Sequence, residues 1–134
     1  MTTVAQIRGP HTFRTYIAGA ATGTDDEWAI VILPNNAKVT GVKWIPNAAI
    51  TANGTVYSTL TVINKAAGAG TTSVATRSWA ATDSVAFTPE SMTLSGTAAN
   101  LLVSAGQLLT IAKTHASTGL TLPDGTVEVT VQWR

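Results

Sequence analysis

Thr55–Lys65 reads Thr-Val-Tyr-Ser-Thr-Leu-Thr-Val-Ile-Asn-Lys, and this stretch decides the fold class. β-Branched and aromatic residues dominate it, and such residues fit a pleated, half-buried surface. Val56, Leu60 and Val62 fall on one face, while Tyr57, Thr59, Thr61 and Ile63 fall on the other. A period of two predicts a strand with one face on a core and the other mostly polar. Asn53-Gly54 precedes the stretch and Gly68-Ala69-Gly70 follows it, so turn chemistry brackets the strand.

The same pattern recurs on both sides. Thr12–Ala18 alternates, with Phe13, Thr15 and Ile17 opposite Arg14 and Tyr16. Glu27–Leu33 is apolar on both faces, which predicts a strand buried on both sides or covered on one by another subunit. Lys38–Ile45 places Thr40, Val42 and Trp44 opposite Val39, Gly41, Lys43 and Ile45. Ser73–Ala80 places Ala75, Arg77 and Trp79 opposite Val74, Thr76 and Ser78. Ala81–Glu90 is mixed, and Pro89 bars it from a central ladder. Met92 and Leu94 share a face in Ser91–Ser95, and Ala105-Gly106 reads as a hairpin-like turn between Asn100–Ser104 and Gln107–Lys113. Thr126–Trp133 alternates most cleanly, with Val127, Val129, Val131 and Trp133 on one face. A strand so near the C-terminus needs pairing, which predicts that it is tied into a sheet. No segment sustains a helical period. The expected fold is all-β: an antiparallel β-sandwich of about eight or nine strands, jelly-roll-like. Residues 1–12 are expected to form an extended arm or edge strand, with Pro10 arguing against a central place, and 13–134 a single sandwich domain.

Composition narrows the function classes. At 134 residues the chain can bury roughly two-thirds of its unfolded surface, so a core needs no disulfide or metal. There is no cysteine, which excludes a disulfide framework, a thiol nucleophile and a thiolate-bound metal. Charged residues make up 11% of the chain, against about 25% in an average domain. The net charge is +1 without any Lys/Arg run, so nucleic acid is not an expected partner. A surface so poor in charge is weakly defended against association. It implies either burial against other chains or a soluble domain with a Thr-rich exterior. Met1–Arg8 lacks the basic and apolar regions of a secretory signal. The longest strongly apolar run, Trp28–Leu33, is too short to span a bilayer, so no membrane is expected either.

Acid–base chemistry has few candidates. The histidines are His11 and His115, far apart in sequence and without companions at ligand spacing. Asp25-Asp26-Glu27 is the densest acid cluster, yet it lacks the spaced pattern of a calcium loop and reads as a solvated loop before a strand. No catalytic, cofactor or metal residue is assigned, and no enzyme is expected. Among the four tryptophans, Trp133 and Trp28 read as core. Trp44 and Trp79 are the candidates for exposed aromatics; with Tyr57 they would carry glycan binding if aligned on an open face.

From about Glu27 onward the chain resembles the head-decoration (cement) proteins of tailed bacteriophages. The resemblance lies in Trp28–Leu33 followed by Pro34, in Lys38-Val39-Thr40-Gly41-Val42-Lys43-Trp44-Ile45-Pro46, and in Leu60-Thr61-Val62-Ile63-Asn64-Lys65 with Gly68-Ala69-Gly70-Thr71. It continues through Leu94-Ser95-Gly96-Thr97-Ala98, Val103-Ser104-Ala105-Gly106-Gln107-Leu108-Leu109, and Gly119-Leu120 before Pro123-Asp124-Gly125-Thr126. These are structural strands and turns without a catalytic signature, and the first two dozen residues lie outside them. The resemblance implies a non-enzymatic β-sandwich that assembles as a homotrimer at three-fold and quasi-three-fold sites on the outer capsid surface. The partners it implies are the major capsid protein and other copies of itself, and the location is the virion after synthesis in the host cytoplasm. Residues 1–12 and the apolar Trp28 strand suit contacts of this kind, with Ile7, Arg8, Arg14 and Trp28 as contact residues. The competing expectations are another phage head-fibre or tail component and a carbohydrate-binding module.

Overall fold

The computed structural model describes residues 9–134. Seven strands carry the architecture: β1 (Pro10–Ile17), β2 (Asp26–Ile32), β3 (Ala37–Pro46), β4 (Tyr57–Asn64), β5 (Thr72–Ser78), β9 (Leu108–Ala116) and β10 (Gly125–Trp133). Three two-residue strands lie between β5 and β9: β6 (Glu90–Ser91), β7 (Thr93–Leu94) and β8 (Leu102–Val103). A short 3-10 turn, Ala98–Leu101, leads into β8.

These strands form two antiparallel sheets. One runs β1-β10-β3, with β6 and β8 both pairing the far edge of β3; the other runs β2-β9-β4-β5-β7. The pairs β1 with β10, β2 with β9, β3 with β8, and β4 with β5 nest one inside the next. They describe a long antiparallel hairpin rolled so that alternate pairs fall in opposite sheets, which is a jelly roll. The last long-strand place is filled by β6 and β8, because the chain between them leaves β3 to pair β5 through β7. Met92 and Leu94 therefore sit beside strands of different sheets. Ala105-Gly106 is likewise a corner between sheets rather than a hairpin turn, since β8 and β9 belong to opposite layers.

β4 and β10 show why the alternation was legible. On β4, Ser58, Leu60, Val62 and Asn64 are buried and the intervening residues half-buried. Its two buried polar ends are satisfied: Ser58 Oγ donates to Leu120 O at 2.8 Å, and Asn64 Nδ2 donates to Gln107 Oε1 at 3.0 Å. On β10, Val127, Val129 and Val131 are fully buried, while Trp133 is half-buried against His11 and Phe13.

Three other strands carry an extra residue, and each changes the inward parity. On β3 the register slips at Thr40, so Val39 and Val42 both reach the core while Thr40 is exposed. The expected grouping of Thr40 with Val42 and Trp44 is thereby corrected. On β5 the extra residue is Val74, buried next to Ala75. On β2 it is Ile30, which lies with Val31 half-buried against the core. The bulge explains the apolar character of Trp28–Leu33 without burial on both faces. β2 is an edge strand, and its Ile32 is 62% exposed. Across the open side of the sandwich, Thr15 Oγ1 donates to Ile30 O at 3.1 Å and ties β1 to β2.

Leu60 sits at the centre of this core, fully buried on a central strand. Leu60→Ala is expected to cost about 2–5 kcal/mol, read as a lower urea midpoint with an unchanged m-value.

Candidate functional site

The positions singled out in the sequence scatter over the sandwich. Ile7 and Arg8 lie outside the described residues. Arg14 projects from the exposed side of β1, and its Nε donates to Glu128 Oε1 at 2.5 Å. Lys43 faces the same Glu128 from the other neighbouring strand, so one carboxylate stands between two cations. Trp28 is half-buried on the β2 edge. His11 and His115 lie at opposite ends of the strands, against Trp133 and Asp25 respectively.

Trp44 and Trp79 are not exposed aromatics; both are completely buried. Trp44 lies on the inward parity of β3 after the bulge. Its ring occupies the space where any residue other than glycine at Gly125 would put a Cβ. Trp79 follows β5 and turns inward, and its indole N–H donates to Ser84 Oγ at 2.6 Å.

Trp79 belongs to a clasp that periodicity could not reveal. Ser84 Oγ in turn donates a hydrogen bond to Glu90 Oε2 at 2.8 Å. Arg77 holds Glu90 with Nε and Nη2 at 3.1 and 3.3 Å, and its guanidinium lies 5.0 Å from the Trp79 ring centroid. The same guanidinium donates to the carbonyls of Ser78, Thr82 and Asp83. Ser84 and Ile50 exchange backbone bonds in both directions, Ala52 N donates to Asp83 Oδ1 at 2.8 Å, and Asn53 N donates to Trp79 O at 3.0 Å. Loops 47–56 and 79–89 are thus braced into one unit. From it Val85 and Phe87 project, 64% and 71% exposed.

The acid cluster is also structural. Asp25 pairs His115 at 2.5 Å, Asp26 accepts the Glu27 N–H, and Glu27 accepts from Thr110 and pairs Lys65. Beneath this loop Lys113 is fully buried, with Nζ donating to Ala21 O and Thr24 O at 2.8 Å each. Burial lowers the pKa of its ammonium, opposed by the charge of Asp25. The lysine cation itself fills the carbonyl-lined place. Asp124 accepts from the Tyr16 hydroxyl at 2.6 Å and from Gly19 N at 2.5 Å. Those bonds, the Tyr16 one first, lower its pKa, and the Tyr16 phenol is correspondingly raised. With Asp83 and Glu128 counted, all seven acids of the chain accept bonds that hold strands or loops in place.

The outer face of the second sheet is different. Tyr57, Thr59, Thr61 and Ile63 of β4 lie in register with Thr110, Ala112 and Thr114 of β9, and Thr61 with Thr76 of β5 and Thr93 of β7. None of these side chains is charged. The nearest charges on this face are Glu27 and Lys65, paired with each other at one margin.

No protein-family model matches this chain, and no curated protein matches it. Among solved structures it is similar to one titled as that of the infectious bursal disease virus Gx strain, at 10% identity and a TM-score of 0.42. The match covers 92% of this chain and 32% of that one, so the chain spans about a third of its length.

Two outcomes follow. Trp79→Phe removes the donor to Ser84 while keeping most of the ring, and is expected to cost about 1–3 kcal/mol in urea unfolding. Because the Asp124 pKa is lowered by folding, its contribution is present above the unfolded value of about 3.9 and is lost as pH falls through the folded one. Asp124→Asn is therefore expected to flatten the acid limb of stability against pH below about 4, with little change in slope near neutrality.

Proposed function

We propose that this chain is a structural virion protein that binds the outer surface of a phage capsid as a trimer and stabilises the expanded shell. The observation that carries the reading is the uncharged outer face of β9, β4, β5 and β7. Charge depletion marks the buried centre of protein interfaces, and this face offers half-buried Tyr57, Thr59, Thr61, Ile63 and Thr76 with exposed Thr93 and Thr114, around the already buried Thr110 and Ala112. The resemblance to head-decoration proteins supplies the kind of assembly. The commitment of all seven acids to structural bonds supports a role without catalysis. The burial of Trp44 and Trp79 removes two of the three aromatics that a carbohydrate-binding module would use.

In this reading the uncharged face packs on neighbouring copies. Arg14, Trp28 and the N-terminal segment with Ile7 and Arg8 contribute further contacts to a neighbour or to the shell. The mechanism is linkage. A protein that binds the expanded shell, and not its unexpanded or disassembled states, stabilises it by RT ln(1 + [L]/Kd) at each site. At a free concentration ~100-fold above Kd this is ~2.7 kcal/mol per site, and it repeats over the lattice.

Co-sedimentation with capsids lacking the protein, unexpanded and expanded, tests the reading. Saturable binding to expanded shells alone, in multiples of three, is expected; binding to neither form contradicts it. In sedimentation velocity, Thr61→Lys is expected to run as a folded monomer where the wild type runs as a trimer. A trimer unaffected by that charge would place the subunit contact elsewhere.

A further inference from the structure

The described residues include three non-glycine residues with positive φ, and one of them is Phe87, at φ 56°. A bulky side chain in this region is an outlier held only where surrounding structure dictates it. The surroundings do so here. Phe87 N donates to Pro46 O at 2.7 Å, Thr88 N donates to Val85 O at 3.3 Å, and the Arg77–Trp79–Ser84–Glu90 clasp fixes the loop on both sides. Yet the strained residue presents its ring to solvent, with Val85 exposed beside it. The fold holds an unfavourable backbone and an exposed aromatic together, and gains no core contact from either.

From this we infer that Val85 and Phe87 are a docking knob that enters an apolar pocket on the surface of another protein. Resting on the function proposed above, that protein is the shell subunit. Two knobs paired with each other alone are too small to hold a dimer, and the contact between copies is already assigned to the outer face of β9, β4, β5 and β7. A phenylalanine buries about 150–250 Å², far below the roughly 800 Å² per partner of a stable interface. The knob is therefore an anchor inside a larger footprint, supplied by the exposed parts of the two braced loops, such as Ala48, Ala49, Thr51 and Thr82. A lipid surface is disfavoured by charge. Loops 47–56 and 79–89 contain no lysine and no arginine, whereas interfacial membrane segments are rich in both.

Phe87→Gly separates docking from folding, because glycine adopts positive φ without strain. This variant is expected to unfold at the same or a higher urea concentration than the wild type. It is also expected to bind expanded shells about 30-fold more weakly, as loss of a central aromatic anchor does. Val85→Ser, with the backbone unchanged, is expected to weaken binding in the same direction. Wild-type affinity in Phe87→Gly overturns the knob while leaving the shell reading intact. A wild type that binds no shell overturns that reading and the docking assignment with it. Sedimentation of the wild type, but not Phe87→Gly, with anionic phosphatidylcholine–phosphatidylglycerol vesicles overturns the protein pocket in favour of a lipid surface.

Discussion

The pairing of the first described strand with the last holds the structure in its rolled form. Every residue from Pro10 to Ile17 faces a partner between Gly125 and Gln132, across more than a hundred residues of chain. Such contacts are entropically expensive, because a long loop must close before they form. Once they form, β10 is a central strand with β1 on one side and β3 on the other. Its Val127, Val129 and Val131 are then driven into the core. The pair encloses the shorter-range pairs β2 with β9, β3 with β8 and β4 with β5. Its register sets two ends to the molecule, with Pro10, Trp133 and Ala37 at one and Ile17, Gly125 and Pro46 at the other.

A chain with 11% charged residues must place each charge with care. Here the carboxylates fasten loops and strands: Glu90 closes the clasp, Asp124 binds the end of β1, and Asp25 holds the loop before β2 against β9. Lys113 does the same from inside, donating to two carbonyls of that loop. What remains outside differs between the sheets: the first carries exposed Arg14, Lys38 and Lys43, and the outer face of β9, β4, β5 and β7 is neutral. An uncharged sheet face and a low-charge loop platform lie on different sides of the molecule. In the proposed assembly the first would meet a neighbouring copy and the second the shell.

Strands with unbroken alternation were legible from the sequence. β4 and β10 matched because each keeps one parity along its length. β2, β3 and β5 were harder, because one extra residue in each switches which side faces inward. An extra residue leaves no composition signal, and Val39 and Val74 were consequently set on the wrong face. Trp44 and Trp79 were misplaced for a related reason: strand-face arithmetic does not show what lies above the ring. Gly125 makes room for one, and Ser84 supplies an acceptor for the other. The knob was least legible of all. Residues 81–90 have no period, and the bonds that brace them come from Arg77, Ile50 and Pro46, which only the fold brings near.

The knob lies at the end of the sandwich opposite Pro10 and Trp133, because Phe87 is bonded to Pro46 at the far end of β3. Docking through it would turn the described ends of the chain away from the shell, so that the contacts proposed for the N-terminal segment would fall on a neighbouring copy. The most direct test of the whole account is a cryo-electron microscopy reconstruction of expanded shells saturated with this protein. Three-fold-related copies on the outer surface are expected, with the 79–89 loops against the shell and the Pro10–Trp133 end outward. Shells without added density, or copies docked by the Pro10–Trp133 end, would contradict it.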